Sequence, residues 1–214
     1  DVTFKYSHVH TVLDSVNFSI RRGSKITLMG QNGAGKSSLF KMIMGELEIF
    51  DGEIHMDKKT SIALARQVIA REDLDLSLRD FFQKQFSETV YDIDPRIDDV
   101  LEIVNLHADK DKHIHDFSGG QQARILLASA LILKPDILLL DEPTNNLDKE
   151  GIEHLTDFLS SYSKTVIVIS HDAEFLNAFS TGVLYLDVFT QKIEYYEGNY
   201  HDVVDQIGLR VAKE

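Results

Sequence analysis

Eight consecutive residues, Gly30-Gln31-Asn32-Gly33-Ala34-Gly35-Lys36-Ser37, carry the G-x-x-x-x-G-K-[ST] spacing that cradles phosphate. The glycines let successive backbone N–H groups converge on an anion, Lys36 reaches the β- and γ-phosphates, and the Ser37 hydroxyl suits a magnesium ion bridging them. With Ser38, the next residue, these side chains and amides are the candidates around a nucleoside triphosphate. Mg²⁺ takes hard oxygen ligands, so a carboxylate is expected beside Ser37. Asp141, at the end of the apolar run Ile137-Leu138-Leu139-Leu140, fills that role, directly or through water. Glu142 follows it, and as the chain leaves the strand its side chain would face the γ-phosphate, placed to orient and deprotonate an attacking water. An Asp-Glu pair after apolar residues can be a plain strand-end turn. The phosphate loop upstream favours the chemical reading.

The elements that must hold these residues are legible around them. Val2–Tyr6, Val16–Ile20 and Lys25–Met29 alternate and are rich in β-branched residues, so each reads as a strand. The third runs into the glycine loop, after which Leu39, Phe40, Ile43 and Met44 recur at helical spacing before Gly45, a stop signal. That order places a helix N-terminus, with its unpaired N–H groups, at the phosphates. Farther on, helix 121–133 leads to strand 137–140, helix 152–160 leads to strand 165–170, and a hairpin-like run ends near Tyr196. Helices alternating with wholly apolar strands predict a mostly parallel sheet covered on both faces. Between them, from about Glu72, amphipathic helices take over, with Ile97, Val100, Leu101 and Val104 opposite Asp98, Asp99 and Glu102. No internal repeat or low-complexity tract interrupts the chain.

At 214 residues the chain suits one compact domain with room for a smaller subdomain. Twenty-two Lys and Arg against 35 Asp and Glu give a net charge of −13, which repels a phosphate backbone unless a local basic patch overrides it. Broad nucleic-acid binding by this segment is therefore not expected. Thirteen of the acids and only five bases fall between Glu72 and Asp116, which reads as a solvated face. Zero cysteines exclude disulfides and thiolate metal sites and fit a reducing compartment. No apolar stretch approaches the roughly 18 residues that span a bilayer, so a cytoplasmic domain without direct membrane insertion is expected. Asp1 rather than Met opens the sequence, so a piece of a longer protein is expected.

Phe117-Ser118-Gly119-Gly120-Gln121 precedes a helix, where Ser118 could be an ordinary N-cap and the glycines a flexible turn. In order along the chain, however, the phosphate loop, Ser-Gly-Gly-Gln, the apolar strand ending Asp141-Glu142-Pro143, and His171 after a second apolar strand resemble an ATP-binding cassette (ABC) domain over essentially the whole length. The resemblance implies a P-loop NTPase (RecA-like) α/β core, an N-terminal antiparallel β part and an inserted α-helical subdomain. The corresponding boundaries are 1–72 and 116–214 for the core and 73–115 for the insertion. It also implies a second cassette, in the same chain or as a homodimer, with two ATP sandwiched head to tail. Ser118, Gly119, Gly120 and Gln121 would then cap the γ-phosphate bound to the partner cassette, and a lone copy would have little activity. By the same resemblance, Tyr6 stacks on adenine and Gln67 touches magnesium and the attacking water. His171 contacts the γ-phosphate and supports Glu142, and Asp148 crosses the seam between cassettes. Phe117 replaces the usual leucine without loss of hydrophobic volume. His107, His113 and His115 lack convincing ligand partners and read as surface residues.

Two further stretches narrow the resemblance. Glu142-Pro143-Thr144-Asn145-Asn146-Leu147-Asp148 is similar to the E-P-T-N-x-L-D of the ABC-F branch, with Asn146 in place of the usual histidine. Ser170-His171-Asp172-Ala173-Glu174-Phe175-Leu176 and Tyr195-Tyr196-Glu197-Gly198-Asn199-Tyr200 look like that branch's S-H-D-x-x-F-L and Y-x-G-N-Y pair. Such proteins join two cassettes in one chain and mostly act on ribosomes, through a linker outside this segment. The alternative is the motor subunit of an ABC membrane transporter.

Overall fold

The structure, a computed structural model, describes residues 2–7 and 10–211, with side chains described from residue 13 onward except 15 and 209–211. Two sheets form. The smaller is antiparallel, with β1 (Val2–Ser7) between β2 (His10–Val16) and the short β4 (Asp51–Gly52). The larger has β3 (Lys25–Gly30), β5 (Ile62–Leu64), β6 (Ile137–Asp141), β7 (Thr165–Ile169), β8 (Gly182–Leu186) and β9 (Ile193–Glu197) in the order β5-β6-β7-β3-β8-β9. All its pairings are parallel except β8 with β9. This is the expected mostly parallel α/β core with an antiparallel β part beside it.

Period-two alternation assigns each residue of the central strands to a face. Leu138 and Leu140 with Val166 and Val168 enter one apolar cluster, while Leu139, Ile167 and Ile169 enter the other. The second cluster lies under β2, β3 and α1 (Lys36–Ile43). The first takes in the helices α2 (Leu78–Gln83), α3 (Ile93–Ile103), α4 (Gly119–Leu131), α5 (Lys149–Ser161) and α6 (Ala173–Phe179). Ile97, Val100, Leu101 and Val104 are buried there and Asp98, Asp99 and Glu102 are exposed, as the helical spacing requires. No strand forms between Leu64 and Ile137, and that stretch packs on the sheet through α4.

One expected strand is corrected. Residues 17–20 alternate between exposed and half-buried but join no ladder. The strand lies earlier, at β2, because Val16 is already opposite Val2 at the start of the described part of β1. Phe18 and Ile20 still pack on the second cluster, so the alternation signals burial without a pairing partner. Helix α6 and the final helix α7 (Tyr200–Val211) have recognisable caps: Asp172 accepts from Phe175 N–H at 3.1 Å and Asn199 from Asp202 N–H at 2.9 Å. The aspartate of S-H-D-x-x-F-L and the asparagine of Y-x-G-N-Y thus each start a helix.

The edge strand β5 is stitched to β6 at its start. The Asp136 carboxylate accepts from Ser61 N–H at 2.9 Å and Ser61 Oγ at 2.8 Å, with Lys164 Nζ 3.1 Å away. These donors hold its pKa down to about 2, against an ordinary value of 3.8. A carboxylate depressed on folding stabilises the fold fully above its unfolded pKa, and the gain disappears as pH falls through the folded value. The advantage of the wild type over Asp136→Asn in urea unfolding should therefore shrink between about pH 4 and pH 2. A difference constant over that range would contradict the stitch.

Candidate functional site

The phosphate loop leaves the C-terminal end of β3, the strand between β7 and β8 in the middle of the sheet. Gly33 (φ 82) and Gly35 (φ 99) are left-handed, a conformation that side chains rarely adopt. Gly30 is required for space, since a Cβ there would lie 2.4 Å from the Leu186 carbonyl oxygen of the paired strand. Ala34 is buried under the loop, and its N–H closes a turn onto Gln31 O at 3.1 Å. At the far end, α1 stops as expected: Gly45 (φ 74) and Glu46 donate back to Met42 O and Lys41 O.

Among the described α-helices, only α1 begins with neither an acidic residue in its first turn nor a capping side chain. Its first N–H groups face the loop, and an anion suits them. Lys36 Nζ spans the loop, donating to Gly30 O at 2.7 Å and Gln31 O at 3.0 Å. Partial burial lowers its pKa, opposed by the nearby carboxylates of Glu142 and Asp141.

Parallel registration brings the remaining groups to the same edge. Asp141 pairs with Ile169, so the ends of β6 and β7 are level. Ser37 Oγ donates to Asp141 Oδ2 at 2.8 Å, across 104 residues of sequence. A hydroxyl and a carboxylate at this separation are two hard oxygen donors with the chemistry that magnesium takes. Glu142 is left-handed (φ 51) and its N–H donates to Ile169 O at 2.8 Å, which turns the chain out of the sheet. Its Oε1 lies 3.3 Å from His171 Nε2 and its Oε2 accepts from His171 N–H at 3.3 Å. The Glu142 side chain is only 19% exposed while that of His171 is 69% exposed, so the pair has one face toward solvent.

Asn32, Gly33 and Gly35 to Ser38 line a cleft of about 400 Å³ together with Gln67, Asp141, Glu142, Ile169 and His171. Gln67 reaches it from the segment after β5. Ile169 is the apolar wall that the motifs do not name. A larger cleft of about 900 Å³ at the opposite ends of the strands brings together no comparable set, and its Arg22 and Lys164 are already paired with Asp57 and Asp136.

The other sequence candidates lie elsewhere. Ser118, Gly120 and Gln121 border a separate cleft with Asn105, Leu106, His107, Arg124 and Asn146. Ser118 caps α4 in a capping box: its Oγ accepts from Gln121 N–H at 3.3 Å and its own N–H donates to Gln121 Oε1 at 3.0 Å. Asp148 caps α5 by accepting from Gly151 N–H at 3.0 Å. Tyr6 is in β1, but its side chain lies outside the described residues. His107, His113 and His115 are exposed.

A sequence model of the ABC transporter family matches residues 13–145. The chain belongs to the ABC family. The cassette is 32% identical over 197 residues to a putative ABC transporter ATP-binding protein of Clostridium tetani, covering 86% of this chain and 45% of that one. It is 33% identical over 214 residues to the ATP-binding protein Uup of Escherichia coli, covering 99% of this chain and 33% of that one. The cassette therefore spans less than half the length of either relative. Among solved structures, an ATP binding subunit of an ABC transporter superposes with a TM-score of 0.83 over 98% of this chain and 92% of that one. At 22% identity, that likeness speaks for the fold. No described helix is long and apolar enough to cross a membrane.

The close approach at Gly30 sets a test of the loop's foundation. Gly30→Ala drives a methyl group into backbone and should cost about 1–3 kcal/mol in urea unfolding. Gly33→Ala has open space around it, so only its left-handed φ opposes the change, at roughly 1 kcal/mol. Equal costs at the two positions would contradict the contact with Leu186.

Proposed function

We propose that this cassette hydrolyses ATP with magnesium, working head to tail with a second cassette, as part of an ABC-F-type protein acting on the ribosome in translation. The observation that carries the hydrolytic reading is the convergence of Lys36, Ser37, Gln67, Asp141, Glu142 and His171 on one cleft. The N–H groups at the start of α1 and the Lys36 ammonium hold the phosphates. Magnesium, held by Ser37 and Asp141 with Gln67 beside them, would offset the charge that develops on the β- and γ-phosphate oxygens. Glu142 takes a proton from water as that water's oxygen attacks the γ-phosphorus, and the bridging oxygen leaves with ADP. His171 holds the Glu142 carboxylate through both its ring and its backbone N–H. Adenine stacking on Tyr6 is carried by the family resemblance alone, since that side chain lies outside the described residues.

Ser118, Gly120 and Gln121 border a cleft of their own, and this supports a site completed by another cassette. A Cβ on Gly119 or Gly120 would meet nothing within 4 Å. Alanine would favour the helix by up to about 1 kcal/mol per position, so glycine there suits close approach by something from outside the chain. The Ser118 hydroxyl accepts its capping bond through oxygen and keeps its proton free to donate to a phosphate. Asp148, beside the same surface, takes the seam position. Residues 73–115 then form the helical subdomain, with the 117–121 loop at its junction with the core.

The ABC-F assignment is supported by Glu142–Asp148, Ser170–Leu176 and Tyr195–Tyr200 together. Two thirds of Uup lies outside its alignment with this chain, room enough for a second cassette. The rival reading, a transporter motor, is favoured by the description of the Clostridium tetani relative as a putative ABC transporter ATP-binding protein and by exposed Val68 and Tyr91, which could meet a permease.

Glu142→Gln should lower kcat about 10²- to 10⁴-fold while ATP affinity changes little, and should accumulate an ATP-bound closed dimer. Unchanged turnover would remove Glu142 from the base role. With ATP, the trapped full-length protein should co-sediment with ribosomes; partition into membranes with a permease instead would favour the transporter reading.

A further inference from the structure

Arg124 projects from α4, six residues after Ser118, and joins three parts of the chain. Its Nε donates to Asn146 O at 2.9 Å, its Nη1 donates to Asn105 O at 2.8 Å, and its Nη2 lies 3.5 Å from Asp148 Oδ2. The side chain is 18% exposed, and a planar guanidinium spreads its N–H donors over three nitrogens that reach three separate acceptors, whereas a lysine ammonium carries all its donors on one atom. Asn105 is the second member. It ends α3 in a left-handed turn (φ 48), with Asn105 N–H and Leu106 N–H donating to Glu102 O and Leu101 O. Asparagine tolerates that conformation and also has an amide to spend. The amide Nδ2 donates to Asp148 Oδ2 at 3.2 Å and to Glu150 Oε2 at 3.1 Å. The Gly151 N–H and the Asn105 amide lower the Asp148 pKa, so the carboxylate stays ionised for Arg124.

The turn these contacts hold runs back to Glu142. Asn145 N–H donates to Glu142 O at 3.4 Å and Leu147 N–H to Thr144 O at 3.1 Å. Two short turns thus separate the anchored residues from the catalytic carboxylate. Those links are weak individually, and 1 Å of displacement at a reacting group is costly.

We infer that Arg124 and Asn105 form a latch that fixes the Asn145–Asp148 turn, and through it Glu142, relative to the helix that begins at the Ser118 loop. Both are positioning residues. The catalytic half of this inference rests on the reading of Glu142 as the base; the mechanical half does not.

The test uses the full-length protein with Arg124→Gln and Asn105→Gly. Glycine retains the left-handed turn that ends α3 and removes only the amide, so this variant should fold even if Arg124→Gln does not. Without nucleotide, amide exchange at Asn145 and Leu147 should speed up roughly tenfold in both variants, while exchange in β6 stays unchanged. With ATP, kcat should fall at least about tenfold with KM within about twofold. Arg124→Lys should not restore either readout. Unchanged exchange at Asn145 and Leu147 in Asn105→Gly would overturn the latch. Faster exchange with unaltered kcat, where Glu142→Gln does slow hydrolysis, would overturn its link to catalysis. If Glu142→Gln leaves turnover unchanged, the reading of the base fails, and the exchange result still decides the latch.

Discussion

The site depends on the parallel register of β6, β7 and β3. In a parallel sheet every strand ends on the same edge, so groups attached to strand ends meet without any loop having to fold back. Asp141 level with Ile169, and β7 against β3, bring a carboxylate beside a serine 104 residues away. A slip of one residue in β6 would send Leu138 and Leu140 to the wrong apolar cluster and turn Asp141 off the cleft. The two apolar clusters, one on each face, therefore lock the register and with it the site.

Electrostatics around that edge explains why an acidic protein can hold a polyanion. The chain carries a net charge of −13, and both Asp141 and Glu142 line the cleft proposed for the phosphates. Lys36 and the uncapped start of α1 are the local positive features, and magnesium would be a third. The other described helices begin with acidic side chains or capping oxygens, so the attraction is confined to one place.

Much of the site is legible in the residues themselves, because phosphate binding constrains consecutive positions. Gly30 to Ser37, the apolar run before Asp141, and the helical stripe at Ile97–Val104 each act within a short window. The interactions that the sequence hides are those made across distance. Val16–Ile20 has the alternation of a strand, but its ladder runs out where β1 begins. Gln121 and Asp148 read through the family as nucleotide-facing residues, and in the fold they also complete helix caps, a role that spacing alone leaves open. Arg124 and Asn105 have no local pattern linking them. Their meeting depends on how α3 packs against α4, which emerges only from the assembled core. Asn105 after an amphipathic stripe is a usable sign of a helix end, though not of its partner.

In the proposed site Ser37 and Asp141 hold the metal while Lys36 and the start of α1 hold the phosphates. The most direct measurement is a crystal structure with a non-hydrolysable ATP analogue and Mn²⁺ in place of Mg²⁺, the metal located by its anomalous scattering. One peak is expected at coordination distance from Ser37 Oγ and within reach of Asp141, beside the phosphates at the α1 N-terminus. A metal bound elsewhere, or phosphates lying away from Lys36, would contradict it.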